Sequence, residues 1–130
     1  MKNSISALIL VAFLFLTSCA SFAERLHHEK EYQEAWCSRV EGQTEFPLED
    51  STRVDCLMNE YAVEFDFADK WAEAVGQARF YANMTGREPG VVLIMEDRER
   101  DFKYLLRLLK AIEDDPKHWR VWIMEPGGDL

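Results

Sequence analysis

Asp55 and Glu64 lie nine positions apart, each among apolar neighbours, with Asp66 two places past Glu64 and Lys70 four further on. Side chains alternate faces along a strand. If Arg53 to Met58 and Tyr61 to Phe67 are strands, one face holds Val54, Cys56 and Met58 with Tyr61, Val63, Phe65 and Phe67. The other then holds Arg53, Asp55 and Leu57 with Ala62, Glu64 and Asp66. A hairpin through Asn59-Glu60, with Met58 opposite Tyr61, sets Asp55 across from Glu64 and Arg53 across from Asp66. Like charges directly opposed on a sheet are destabilising, so the two carboxylates need a shared proton or a cation between them. Mg²⁺ or Mn²⁺ suits oxygen ligands, keeps several waters and can also hold a phosphate. The plainer alternatives are a solvent-facing polar sheet surface for Asp55 and Glu64, and a cross-strand ion pair with Arg53 for Asp66.

Neighbouring elements add groups to this face. In a first strand, Thr44 to Leu48, inward-pointing Phe46 and Leu48 turn Glu45 toward the acids. After Phe67 the apolar period changes from two to 3.6, and Trp71, Val75, Ala78 and Ala82 form the packing stripe of a helix over 69–84. On that helix Lys70, Gln77 and Tyr81 fall within roughly 20° of one line, about 110° from the stripe, so they can overlook the carboxylates.

The remaining elements follow from punctuation. Residues 26–40 read as an amphipathic helix carrying Leu26, Ala35, Trp36 and Val40 and ending at Gly42. Thr85-Gly86 stops the second helix, and the unbroken apolar run Val91 to Met95 predicts a strand buried on both faces. Asp97 can cap a third helix with Phe102, Leu105, Leu106, Leu109 and Ile112 on its apolar face; Asp114-Asp115-Pro116 ends it, and Trp119 to Met124 is a last strand. The order helix, three strands, helix, strand, helix, strand predicts an α/β domain with a mixed sheet flanked by helices.

Asp55, Glu64 and Asp66 on adjacent strands, followed by a helix bearing Gln77 and Tyr81, resemble the PD-(D/E)XK nuclease superfamily, its RecB-like and Holliday-resolvase-like members in particular. The motif match runs from about Glu34 to Glu96, and the element order is also that of the superfamily's core. The resemblance implies that Asp55 and Glu64 bind Mg²⁺ and that an ion-activated water attacks a phosphodiester. It further implies that Gln77 and Tyr81 steady the helix or substrate, and that Glu34 stands where some members place another acid. Val54 replaces the motif's Pro and Asp66 its Lys; Lys70, one turn further on, can return an ammonium to the site.

Bulk composition weighs on the other side. The chain carries 15 Lys+Arg against 24 Asp+Glu, a net charge of -9, which repels phosphate backbones at long range. That charge, with Asp66 in the lysine position, favours a competing reading: a non-catalytic envelope protein on the same fold that binds a protein partner. His27 and His28 beside Glu29 and Glu31 suit a solvated N-terminus better than a metal site. Phosphate-binding Gly-rich loops, nucleophile elbows and zinc patterns are absent from the sequence.

Only Lys2 is charged before Glu24, and Ile5 to Leu16 is almost wholly apolar, the layout of a bacterial export signal over 1–23. Ser21-Phe22-Ala23 suits cleavage by signal peptidase, whereas Leu16-Thr17-Ser18-Cys19 resembles a lipobox that would attach a lipid to Cys19 and tether the protein to a membrane. The expected location is the periplasm, lipid-anchored or free, or the medium. Residues 24–130 are enough for one domain with a modest core. Cys37 and Cys56 then form an even pair, open to a disulfide outside the cytoplasm or to two buried thiols.

Overall fold

The structure, a computed structural model, describes residues 24–127. The export signal read over 1–23, with the lipidation candidate Cys19, lies outside the described residues. Among those described, no helix is long and apolar enough to cross a membrane.

The chain forms α1 (Glu29–Arg39), β1 (Gln43–Pro47), β2 (Arg53–Leu57), β3 (Tyr61–Phe67), a single 3₁₀ turn (Ala68–Lys70), α2 (Trp71–Thr85), β4 (Glu88–Ile94), α3 (Arg98–Ile112) and β5 (Arg120–Met124). The five strands make one mixed sheet in chain order, antiparallel through β1, β2 and β3 and parallel through β3, β4 and β5. The expected α/β class with helices on both faces is the one observed.

Local chemistry sets the boundaries. The Glu31 carboxylate accepts from the His28 backbone N–H at 2.7 Å, closing a capping box at the start of α1. Gly86 takes the left-handed conformation (φ 68°) that ends α2, and Asp97 accepts from the Arg100 N–H at 3.0 Å to cap α3.

Two cores sandwich the sheet. On one face α1 lays Tyr32, Trp36 and Cys37 against Cys56, Val63, Phe65, Phe67, Val92 and Ile94. On the other, Ala74 and Ala78 of α2 and Leu105 and Leu108 of α3 cover Val91, Leu93 and Met95. The unbroken apolar run in β4 is therefore explained: both its faces are dry.

Cys37 and Cys56 are joined in a disulfide that pins α1 to β2, their Cα atoms 5.8 Å apart. Gly42 is what lets the chain pass beside it, since a Cβ there would stand 2.4 Å from the Cys56 sulfur and 2.8 Å from that of Cys37.

The strict alternation expected of β2 fails at one point. Cys56 faces α1 as anticipated, but Val54 joins Leu57, Ala62 and Tyr81 on the opposite face, with Phe46 and Leu48 packed beside them. The neighbouring strand is irregular at the same place. Glu45 on β1 has φ 52°, and the β1–β2 register steps from Thr44↔Cys56 to Phe46↔Val54 without a bridge at Glu45 and Asp55. A non-glycine residue in the left-handed region turns its own strand, and β1 and β2 both change course at this level.

A candidate site where the hairpin opens

The β2–β3 register agrees with the expected hairpin, pairing Leu57 with Ala62 and Cys56 with Val63, and the Met58 N–H donates to the Tyr61 carbonyl at 2.9 Å. The ladder then stops. At the next position the Asp55 side chain intervenes, its Oδ2 accepting the Phe65 N–H at 2.8 Å. That N–H would have gone to Val54 had the ladder continued, so the acid itself wedges the hairpin open. The Asp55 carbonyl accepts from the Gln33 side chain at 2.7 Å. The same Gln33 amide nitrogen donates to Glu45 Oε1 at 2.9 Å. Gln33 is 3 % exposed, so one buried amide on α1 ties β1 and β2 to the mouth of the opening.

Asp55 and Glu64 meet inside it, near enough for the charge of Asp55 to act on the Glu64 carboxyl. Two buried carboxyls side by side favour a shared proton or a cation. Burial first, then the charge of Asp55, pushes Glu64 far above the usual carboxylate range; burial also raises Asp55, offset in part by the Phe65 N–H. Glu64 is 5 % exposed, and its Oε2 is buried without a hydrogen-bond partner.

A second pair adjoins the first. Asp66, equally buried, has its carboxyl raised to about 7 by burial and by the charge of Glu29, with Lys70 acting the other way. Glu29, the first residue of α1, lies beside Asp66 and is raised by its own burial and by the charge of Asp55. Glu96 ties down the chain on either side of Glu29, accepting from the Leu26 N–H at 2.9 Å, the His27 N–H at 3.3 Å and the Tyr32 hydroxyl at 2.9 Å. Tyr81 closes the opposite side. Its hydroxyl is pushed up to about 12 by burial and by the charges of Glu64 and Asp55.

The expected constellation is thus only partly assembled. Asp55, Glu64, Asp66, Glu45 and Tyr81 converge, and Lys70 lies exposed beside them, close enough to act on Asp66 and Glu29 through its charge. Gln77 is exposed and makes no hydrogen bond to the site. Glu34 points into solvent and pairs with Lys30, 3.6 Å away, so the acid that α1 contributes is Glu29, one turn before Gln33. Arg53 does not pair with Asp66, because it lies in the β1–β2 ladder opposite Pro47 after the hairpin has parted. Neither Glu29 nor Gln33 was singled out from sequence, although their i, i+4 spacing beside Tyr32 and Trp36 was the available signal.

Could the site hold a divalent ion? Among the described residues no group of three or more His, Cys, Asp or Glu side chains is arranged to hold one by itself. Mg²⁺, however, is ordinarily held by one or two carboxylates with water and substrate phosphate completing its shell. Asp55 and Glu64 match that demand, and the unpartnered Glu64 Oε2 is an acceptor in want of a cation. The histidines do not compete: His28 begins α1, and His27 Nδ1 stands 3.9 Å from Glu31 at the exposed N-terminal end of that helix.

Comparison of the chain with family models, characterised proteins and solved structures finds no match.

Proposed function

We propose that this chain is an exported phosphodiesterase of the nuclease type, dependent on Mg²⁺ or Mn²⁺ held by Asp55 and Glu64. The observation that carries the proposal is the buried, unpartnered Glu64 Oε2 set against a second carboxyl. An acid pair of this kind costs the fold free energy unless a cation or proton occupies it. The resemblance to the PD-(D/E)XK arrangement supports the choice of reaction. So does the exposed Lys70 at the edge of the acids, where an ammonium can meet a phosphate oxygen. When bound, a divalent ion lowers the pKa of water and neutralises charge building on phosphate. The chain's own residues do the rest. Gln33 and the Phe65 N–H fix the orientation of Asp55, and Glu29 and Lys70 tune Asp66, which can take up or release a proton near neutrality. The Cys37–Cys56 disulfide supports export, since such bonds persist in oxidising compartments.

A non-catalytic envelope protein that binds a protein partner is the competing reading, favoured by the net charge of -9 and by Asp66 in the lysine position. Cleavage of labelled single-stranded and duplex DNA and RNA separates the two. The expected result is cutting that needs Mg²⁺ or Mn²⁺, stops with EDTA and falls about 100-fold or more in Glu64→Ala. Signals that are equal in both proteins and indifferent to metal would establish the non-catalytic reading.

A further inference from the structure

We infer that the Cys37–Cys56 disulfide is an oxidation-dependent clamp on the site. With the bond formed, Asp55 is held beside Glu64; with the two thiols free, Asp55 moves away and the seat for the metal is lost. The inference deepens the proposed function and rests on it for the metal.

The clamp stands at a fork. Cys56 is the last β2 residue paired with β3, opposite Val63, whereas β1 and β2 run on together through Phe46↔Val54 and Pro47↔Arg53. Beyond the fork these two strands form an arm that carries Asp55 and Glu45. The Phe65 N–H donates to the Asp55 carboxylate, and the Gln33 amide donates to the Asp55 carbonyl and to Glu45, so polar bonds join the arm to the body of the domain. The small apolar cluster around Tyr81 adds to them. Gln33 lies one helical turn before Cys37, and Asp55 is next to Cys56. The bond between the two sulfurs therefore fixes both ends of the Gln33–Asp55 contact.

The helix α1 has other anchors. Trp36 packs edge to face on Phe65 and Trp122, with ring centroids 5.5 and 5.0 Å away, and the Tyr32 hydroxyl donates to Glu96. These hold α1 on the sheet when the disulfide opens, so the arm is the part that moves. Lack of room drives the movement. Both cysteines are fully buried, and Gly42 lies so close to both sulfurs that a Cβ there has no space. Two separate thiols fill more volume than a bonded pair, and a packed core answers added volume by shifting. A small shift of the arm is enough to break the Gln33 bonds, which weaken steeply as their geometry degrades.

The chemistry is thiol–disulfide exchange. Two electrons and two protons leave the Cys37 and Cys56 thiols for a disulfide donor, a thiol–disulfide oxidoreductase of the export compartment, whose own S–S bond opens to two thiols. Before export the cytoplasm keeps the cysteines reduced. A nuclease of this design is inert where it is made and becomes competent where it is delivered.

Hydrogen exchange followed by NMR in EDTA reads the clamp without metal. The oxidised protein is compared with protein reduced by dithiothreitol in denaturant, then refolded and desalted without air, and with the thiol-free Cys37→Ala, Cys56→Ala variant. In both disulfide-free forms the Phe65 N–H should exchange at least about tenfold faster, beyond any acceleration it shares with the amides of β4. Mn²⁺ affinity should fall at least about tenfold in the same two forms and return when the reduced protein is reoxidised with oxidised glutathione. A Phe65 N–H that accelerates only in step with β4, through a fold left intact or through unfolding of the whole domain, overturns the inference. Equal Mn²⁺ affinity with and without the disulfide does so too. No Mn²⁺ binding by the oxidised protein, with Phe65 still released on reduction, refutes the metal reading and supports the clamp.

Discussion

Glu64→Gln keeps the shape of the side chain and removes its charge, and in metal-free protein it should stabilise the fold. A glutamate in the unfolded chain ionises near 4.5, whereas in the folded protein burial and Asp55 hold it protonated well above that. The sign follows from linkage: the folded state binds the extra proton, so stability is greatest below 4.5 and declines as pH rises toward the folded value. With about 1.4 kcal/mol for each pH unit, protonation of Glu64 at pH 7 opposes folding by up to about 3 kcal/mol. Gln pays nothing of this, and its amide can still donate to Asp55. In EDTA at pH 7, thermal unfolding of Glu64→Gln should occur about 5 to 10 °C above that of the parent, from about 1 to 2 kcal/mol of realised gain. At pH 4.5 the two curves should converge. A variant less stable than the parent at pH 7, with the same pH slope, would show that Glu64 is an ordinary paired carboxylate and that the site has no need of a cation.

The disulfide closes a loop between positions 19 apart, so Cys37→Ser with Cys56→Ser should lose about 3 kcal/mol in denaturant titration, and an unchanged midpoint would contradict it. Gly42→Ala forces a Cβ against both sulfurs and should cost about 1 to 3 kcal/mol by the same measurement. Gln33→Ala removes the buried bonds to the Asp55 carbonyl and to Glu45 and should lower stability by about 1 to 3 kcal/mol while weakening metal-dependent cleavage, through loss of orientation at Asp55. Lys70→Ala, on an exposed side chain, should leave stability within about 0.5 kcal/mol and reduce cleavage; an unreduced rate would remove Lys70 from the site.

Where the apolar period was long, the elements were legible. The bounds of β3, the register at Cys56 and Val63, the caps at Gly86 and Asp97 and the doubly buried β4 all follow from residue pattern. The opposed acids were legible for the same reason, as the hairpin turn sets Asp55 against Glu64. What escaped was produced by the opening itself. Val54 turns to the face opposite Cys56 at the level where Glu45 is left-handed, which no alternation rule anticipates. The parting of β2 from β3 removes Arg53 from Asp66. On α1, apolar residues alone suggest a face through Ala35 and Val40, yet the buried positions are Tyr32, Gln33, Trp36 and Cys37. A polar Gln at the heart of that face conceals it, and with it the reason Glu29 rather than Glu34 enters the site.

Crystals soaked in Mn²⁺ and measured at the manganese absorption edge test the central claim directly. An anomalous peak between the carboxyl groups of Asp55 and Glu64, absent from Glu64→Gln crystals treated alike, is the expected result. An empty map there at millimolar Mn²⁺ would contradict it.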